Sequence, residues 1–147
     1  MRSRWWWLAC LGLAVPSAHA QPNARFPAPS GGVMTLSPGF LPDPQSATGT
    51  ARGSVDASTL APHCTGFVAA APERALVLRG DEPWLRVYVT SPADTTLVVR
   101  RPDGTWLCDD DSYGRHPAVE GSFPAGRYLI WVGTYHAGAS AAYTLSV

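Results

Sequence analysis

The chain has 147 residues, eleven Arg, no Lys and a formal net charge of zero. A neutral chain without Lys lacks the clustered cations that sequence-independent nucleic-acid binding sets against phosphates. Its length fits one domain rather than two.

The N-terminus runs MRSR, then WWWLACLGLAV, then PSAHA. A short basic start, an apolar stretch and a small-x-small ending at Ala18-His19-Ala20 read as a secretory signal peptide over residues 1–20, cleaved after Ala20. A transmembrane anchor is excluded on length, because eleven apolar residues span only about 16 Å as a helix against a hydrocarbon core of roughly 30 Å. A lipid anchor at Cys10 has only five apolar residues before it. No later stretch is long and apolar enough to span, so the expected product is exported, periplasmic or extracellular, with no membrane span after cleavage. It carries nine Arg against eleven acidic residues.

Two cysteines follow the signal, Cys64 and Cys108. An even pair in an oxidising compartment reads as a disulfide. The alternatives are a catalytic Cys or a metal site, but neither CxxC nor HxxxH, the close ligand spacing of a zinc site, is present.

Residues 21–37 begin QPNARFPAPSGG and read as a flexible leader. Residues 38–147 form the expected domain. Its first part, through PGFLPDP and the small polar tract SATGTARGS, is poor in large apolar residues and reads as an irregular arm or one edge strand. From Cys64 onward the signals are those of strands. In WLRVYVTS, Leu85, Val87 and Val89 alternate with Trp84, Arg86 and Tyr88. In GRYLIWVGT, Tyr128, Ile130 and Val132 lie on one side, Leu129 and Trp131 on the other. Tyr143, Leu145 and Val147 alternate at the C-terminus. CTGFVAA, RALVLR and TTLVVRR are further strands, separated by GDEP, SPAD, PDG, SYGRHP, FPAG and HAGA. About seven to eight short strands at this spacing predict an all-β fold, an antiparallel β-sandwich or jelly roll with one disulfide.

RRPDGTW predicts a three-residue hairpin loop, with Pro102 at the first central position of a type I turn and Gly104 at positive φ. In that register Arg101 faces Thr105, Val98 faces Cys108 and Thr96 faces Asp110. Asp94 then shares a face with Asp110 near the open end. A two-residue loop would shift the pairing by one and swap the faces.

From about Gly39 to Val147 the chain resembles the bacterial pre-peptidase C-terminal domains and their stand-alone exported relatives. The stretches that carry the resemblance are FLPDP, CTGF, DTTLVVRRPDGTWLCDDDSYGRHPAV, GRYLIWVGTYHAG and YTLSV. The resemblance implies a compact jelly-roll β-sandwich that is not itself catalytic and is usually appended to secreted hydrolases. It also implies calcium binding in some members, and collagen or polysaccharide binding in others. No enzyme domain is expected beside it within these 147 residues, so a protease-linked role is expected to have nothing to assist in cis.

Three features carry candidate chemistry. Asp109, Asp110 and Asp111, joined by Asp94 through the hairpin and with Asp103 at its tip, are candidate ligands for a structural Ca²⁺, a hard cation that takes six to eight oxygens. Glu120 is an additional candidate ligand. The alternative is a solvated loop whose carboxylates bond the local backbone. Trp84, Tyr113 and Tyr135 lie near turns and are the candidate contacts for a protein or polysaccharide ligand, whereas Tyr128 and Trp131 are expected in the core. His63, His116 and His136 allow a small secreted hydrolase or protease-accessory domain as the competing class, although no GxSxG elbow is present. The expected function is a non-catalytic binding or structural module.

Overall fold

A computed structural model describes residues 25–147, and the residues expected to form the signal peptide lie outside this range. The strands are β1 (Val33–Leu36), β2 (Ser46–Arg52), β3 (Val55–Asp56), β4 (Phe67–Val68), β5 (Arg74–Leu78), β6 (Glu82–Thr90), β7 (Thr95–Arg100), β8 (Trp106–Asp109), β9 (Ala118–Phe123), β10 (Gly126–Thr134) and β11 (Ser140–Ser146). Among the described residues no helix is long and apolar enough to cross a membrane.

The strands form two sheets, giving the expected β-sandwich. One sheet has four strands in the order β2-β11-β6-β9. The other has seven: β10 pairs with β7 along one edge and with β5 and then β4 along the other, while β1, β3 and β8 extend it outward. The strand count exceeds the expected seven to eight because β1 and β3 are too short to show a period of their own and β9 is interrupted by Gly121. β1 also corrects the expectation of a flexible leader through residue 37. Val33–Leu36 run parallel to Ala75–Leu78 of β5 and bury Leu36 in the core. SATGTAR becomes the edge strand β2, paired along its whole length with β11. Only its Ala51 is buried, so the backbone ladder rather than an apolar face holds it.

The side-chain period of two decides the packing. Leu85, Val87 and Val89 of β6 face inward with Tyr128, Ile130 and Val132 of β10 and with Tyr143, Leu145 and Val147. These fill the space between the sheets. The opposite side of β10 is buried as well. Leu129 and Trp131 pack with Ala57, Ala61, Cys64 and Val68, and Phe26, Leu60 and Trp106 close over them. The seven-stranded sheet therefore has apolar layers on both faces, and every residue of β7 is buried.

The hairpin between β7 and β8 has the predicted register. Val98 pairs with Cys108 and Arg100 with Trp106. Gly104 has φ 89° and donates to the Arg101 carbonyl at 3.0 Å, while Arg101 donates to Thr105 at 2.8 Å. That register carries Cys108 to the covered face of the sheet, where it forms the disulfide with Cys64. The link joins the 57–66 loop to β8 and fixes the cover over Trp131.

Candidate functional site

Among the described residues, no such cover lies over the outer face of the four-stranded sheet. Because Leu85, Val87 and Val89 point inward, the alternate positions Trp84, Arg86 and Tyr88 point out. Trp84 is 60% exposed. Arg86 lies opposite Glu120 of β9 in the ladder, and its Nε donates to Glu120 Oε2 at 2.7 Å. The guanidinium carbon is 5.3 Å from the Trp84 ring centroid and 5.0 Å from that of Tyr113. It thus meets two aromatic rings and one carboxylate. The hydrogen bond that Arg86 donates to Glu120 favours the charged guanidinium and raises its pKa.

Tyr113 comes from the loop between β8 and β9 and is 49% exposed. A tight turn holds it: the N–H of Tyr113 donates to the His116 carbonyl at 3.1 Å, and that of His116 donates back at 3.2 Å. The Tyr113 hydroxyl donates to Glu120 Oε2 at 3.4 Å. Two hollows flank this group. One of about 360 Å³ is lined by Phe40, Asp43, Pro44, Glu82 and Trp84. The other, about 220 Å³, is lined by Thr90, Tyr113, His116 and Pro117. Arg86 and Tyr88 line both, so the two form one shallow track across β6.

Of the three aromatic candidates, Arg86 links Trp84 and Tyr113. Tyr135 is exposed too, but it stacks edge-on against His136 at 5.1 Å and lines neither hollow. The sequence reading missed Arg86 as a site residue. The strict alternation of β6, which puts it on the Trp84 face, was the signal available. Glu120 is engaged with Arg86 and Tyr113 rather than with the aspartates.

The acidic residues divide differently from the expectation. Carboxylate oxygens of Asp109, Asp110 and Asp111 lie within 4.8 Å of one another, and Asp94 is not in that group. The β7–β8 ladder ends at the Leu97–Asp109 pair, so Asp110 never reaches the paired position opposite Thr96. Asp109 has a structural task of its own: its Oδ2 accepts the N–H groups of Ala118 at 2.7 Å and Ser112 at 3.1 Å, closing the loop that presents Tyr113. Oxygens around one Ca²⁺ at 2.3–2.6 Å lie at most about 5 Å apart. The three carboxylates therefore fit a single Ca²⁺ in spacing, with Asp109 offering its second oxygen. Asp103 sits at the hairpin tip, where hydrogen bonds from the Thr105 N–H and hydroxyl lower its pKa.

His116 and Ser91 line one depression. The Ser91 hydroxyl donates to the Ala142 carbonyl at 2.8 Å and accepts from Ala93 N–H at 3.1 Å. Among the described residues, no hydrogen bond joins a Ser hydroxyl to a His ring.

These elements define a disulfide-linked β-sandwich with one covered sheet face and one shallow aromatic–arginine track. Among solved structures, the chain is similar to the pre-peptidase C-terminal domain of collagenase from Bacillus anthracis, with a TM-score of 0.49 and 12% sequence identity, over 82% of this chain and 93% of that one. That is the family the sequence resembles. No protein-family model and no curated protein matches the chain.

Proposed function

We propose that the chain is an exported, non-catalytic binding module whose contact surface is the track centred on Trp84, Arg86 and Tyr113, and that its ligand is a polysaccharide. The observation that carries this reading is the junction at Arg86, where one guanidinium meets two exposed rings and the Glu120 carboxylate. Exposed rings offer flat faces for the apolar side of a sugar. The neighbouring Arg and Glu offer hydrogen bonds to its hydroxyls. The shallow form of the track suits a chain lying across the sheet rather than a substrate enclosed for reaction.

Co-sedimentation of the mature chain with insoluble glucan, chitin and collagen tests the reading. Retention on a polysaccharide, lost in Trp84→Ala and Tyr113→Ala, is the expected result. Retention on none of them, or equal retention by both variants, overturns it, and retention on collagen alone assigns the track to protein. The intact mass of the secreted product tests export, with Gln21 as the expected first residue.

A structural Ca²⁺ at Asp109, Asp110 and Asp111 is part of the same proposal. Melts in EDTA and in millimolar CaCl₂ separate it from a solvated loop. A ligand at about 100 times its Kd adds about 2.7 kcal/mol. For this size that is a rise of roughly 10 °C. The rise should vanish in Asp110→Ala/Asp111→Ala, which leaves the Asp109 loop bonds intact. An unchanged melting temperature removes Ca²⁺ from the proposal and leaves the track unaffected.

A further inference from the structure

A second cleft lies away from the aromatic track. It occupies about 300 Å³ between β2, β11 and the start of β5, and its lining includes Thr48, Thr50, Arg52, Glu73, Arg74 and Tyr143. Tyr143 is only 5% exposed, with its ring in the core between the sheets. Its hydroxyl meets no hydrogen-bond partner among the described residues. The partner position across the ladder is Gly49, where a Cβ would overlap the phenol oxygen. The absent side chain at 49 leaves room for the Tyr143 hydroxyl beside the cleft.

The charges around it are unbalanced. Arg74 directs its guanidinium at the carbonyls of Gly31 and Thr48, and among the described residues no carboxylate forms an ion pair with it. The Arg52 side chain has no hydrogen bond or ion pair among the described residues. Glu73 is buried, and its Oε2 accepts the Val132 N–H at 2.9 Å. Burial pushes its pKa up to about 7. Below neutral pH the cleft therefore holds two guanidinium groups, an unused phenol and an uncharged carboxylic acid.

We propose that this cleft binds a small organic carboxylate, with the ligand's oxygens against Arg52 and Arg74 and accepting the Tyr143 hydroxyl. A neutral polyol would leave both guanidinium charges uncompensated, and a cation would meet two like charges. The volume exceeds that of a carboxylate alone and suits a molecule the size of a sugar acid or an amino acid. The charged and titratable groups that line the cleft with Glu73 are Arg74 at the start of β5, Arg52 from β2 and Tyr143 from β11, while β10 supplies the Val132 N–H. Ionisation of Glu73 places a like charge beside the ligand, so affinity falls as pH rises through about 7.

Titration calorimetry of the mature chain with glucuronate, N-acetylglycine and glucose tests this. The two carboxylates distinguish a sugar acid from a chain-terminal carboxylate as the source. At pH 5.5, one of them should bind at least about tenfold tighter than glucose, the scale of a charge-assisted hydrogen bond. Arg52→Ala, an exposed site, and Tyr143→Phe, which removes a single oxygen, should each weaken it about fivefold or more. Glu73→Gln should keep the Val132 bond and flatten the pH dependence. Trp84→Ala should leave this binding unchanged. Glucose binding as tightly as both acids, or full affinity in both Arg52→Ala and Tyr143→Phe, overturns the proposal. A pH dependence that persists in Glu73→Gln overturns the part given to Glu73.

Discussion

The two outer sheet faces of this sandwich use the same residue types to opposite ends. On the seven-stranded sheet, Arg100 lies 5.3 Å from Phe26 and 5.7 Å from Trp106, and Phe26 stacks edge-on against the fully buried Trp131. On the four-stranded sheet, Arg86 meets Trp84 and Tyr113 at similar distances, yet both rings are exposed. The cover makes the difference. The 57–66 loop, the disulfide and Phe26 close the first face. An aromatic–arginine cluster is thus core or contact surface according to what the chain lays over it, and its composition alone does not say which.

Removing the cover should have the largest effect. Cys64→Ala/Cys108→Ala releases a loop of 44 residues in sequence separation. In the chain-entropy model this costs about 4 kcal/mol. The melting temperature should fall by more than about 10 °C. A fall of less than about 3 °C would mean that packing alone holds the cover.

Glu73 gives the next largest effect. Its carboxylate lies beside β10 at Val132, between the points where β5 and β4 pair with that strand, and takes an N–H that neither strand reaches. Its folded pKa of about 7 is above the 4.5 of an unperturbed Glu. The folded state therefore binds the proton more tightly. Its contribution is fully present below about pH 4.5 and is lost as pH rises through 7. Glu73→Gln should stabilise the protein at pH 8 by on the order of 3 kcal/mol and leave it nearly unchanged at pH 4.5. Urea melts at the two values check this, and an equal shift at both would break the assignment to ionisation.

The paired substitutions Phe26→Ala and Trp84→Ala sharpen the contrast directly. Phe26→Ala uncovers Trp131 and Trp106 and should cost about 1–3 kcal/mol. Trp84→Ala removes an exposed ring and should change stability by less than about 0.5 kcal/mol. Thermal denaturation of the two side by side is sufficient. Equal losses would show that the open face is structural rather than a contact surface.

The hairpin, the inward faces of β6, β10 and β11, and the exposure of Trp84, Tyr113 and Tyr135 were legible in the sequence because alternation and turn chemistry act locally. Pro102 and Gly104 set the register between residues 97 and 109 without help from elsewhere. Two further features were not legible. Asp94 was expected beside Asp110, but β8 ends at Asp109, whose carboxylate closes the next loop. Glu73 shows no periodic signal, since its burial comes from a sheet gap that exists only once β4, β5 and β10 have assembled.

The local pattern of the chain determined a β-sandwich and its hairpin register, which follow from steric preference and a two-residue period, while the pairing of the two cysteines followed from their number. Only the tertiary structure decided which sheet face is covered, which arginine meets the exposed rings and which carboxyl is forced out of water. Those outcomes depend on segments far apart in sequence, such as Phe26 with Trp131 and Glu73 with Val132. Burial and charge are properties of the assembled neighbours rather than of the residue alone.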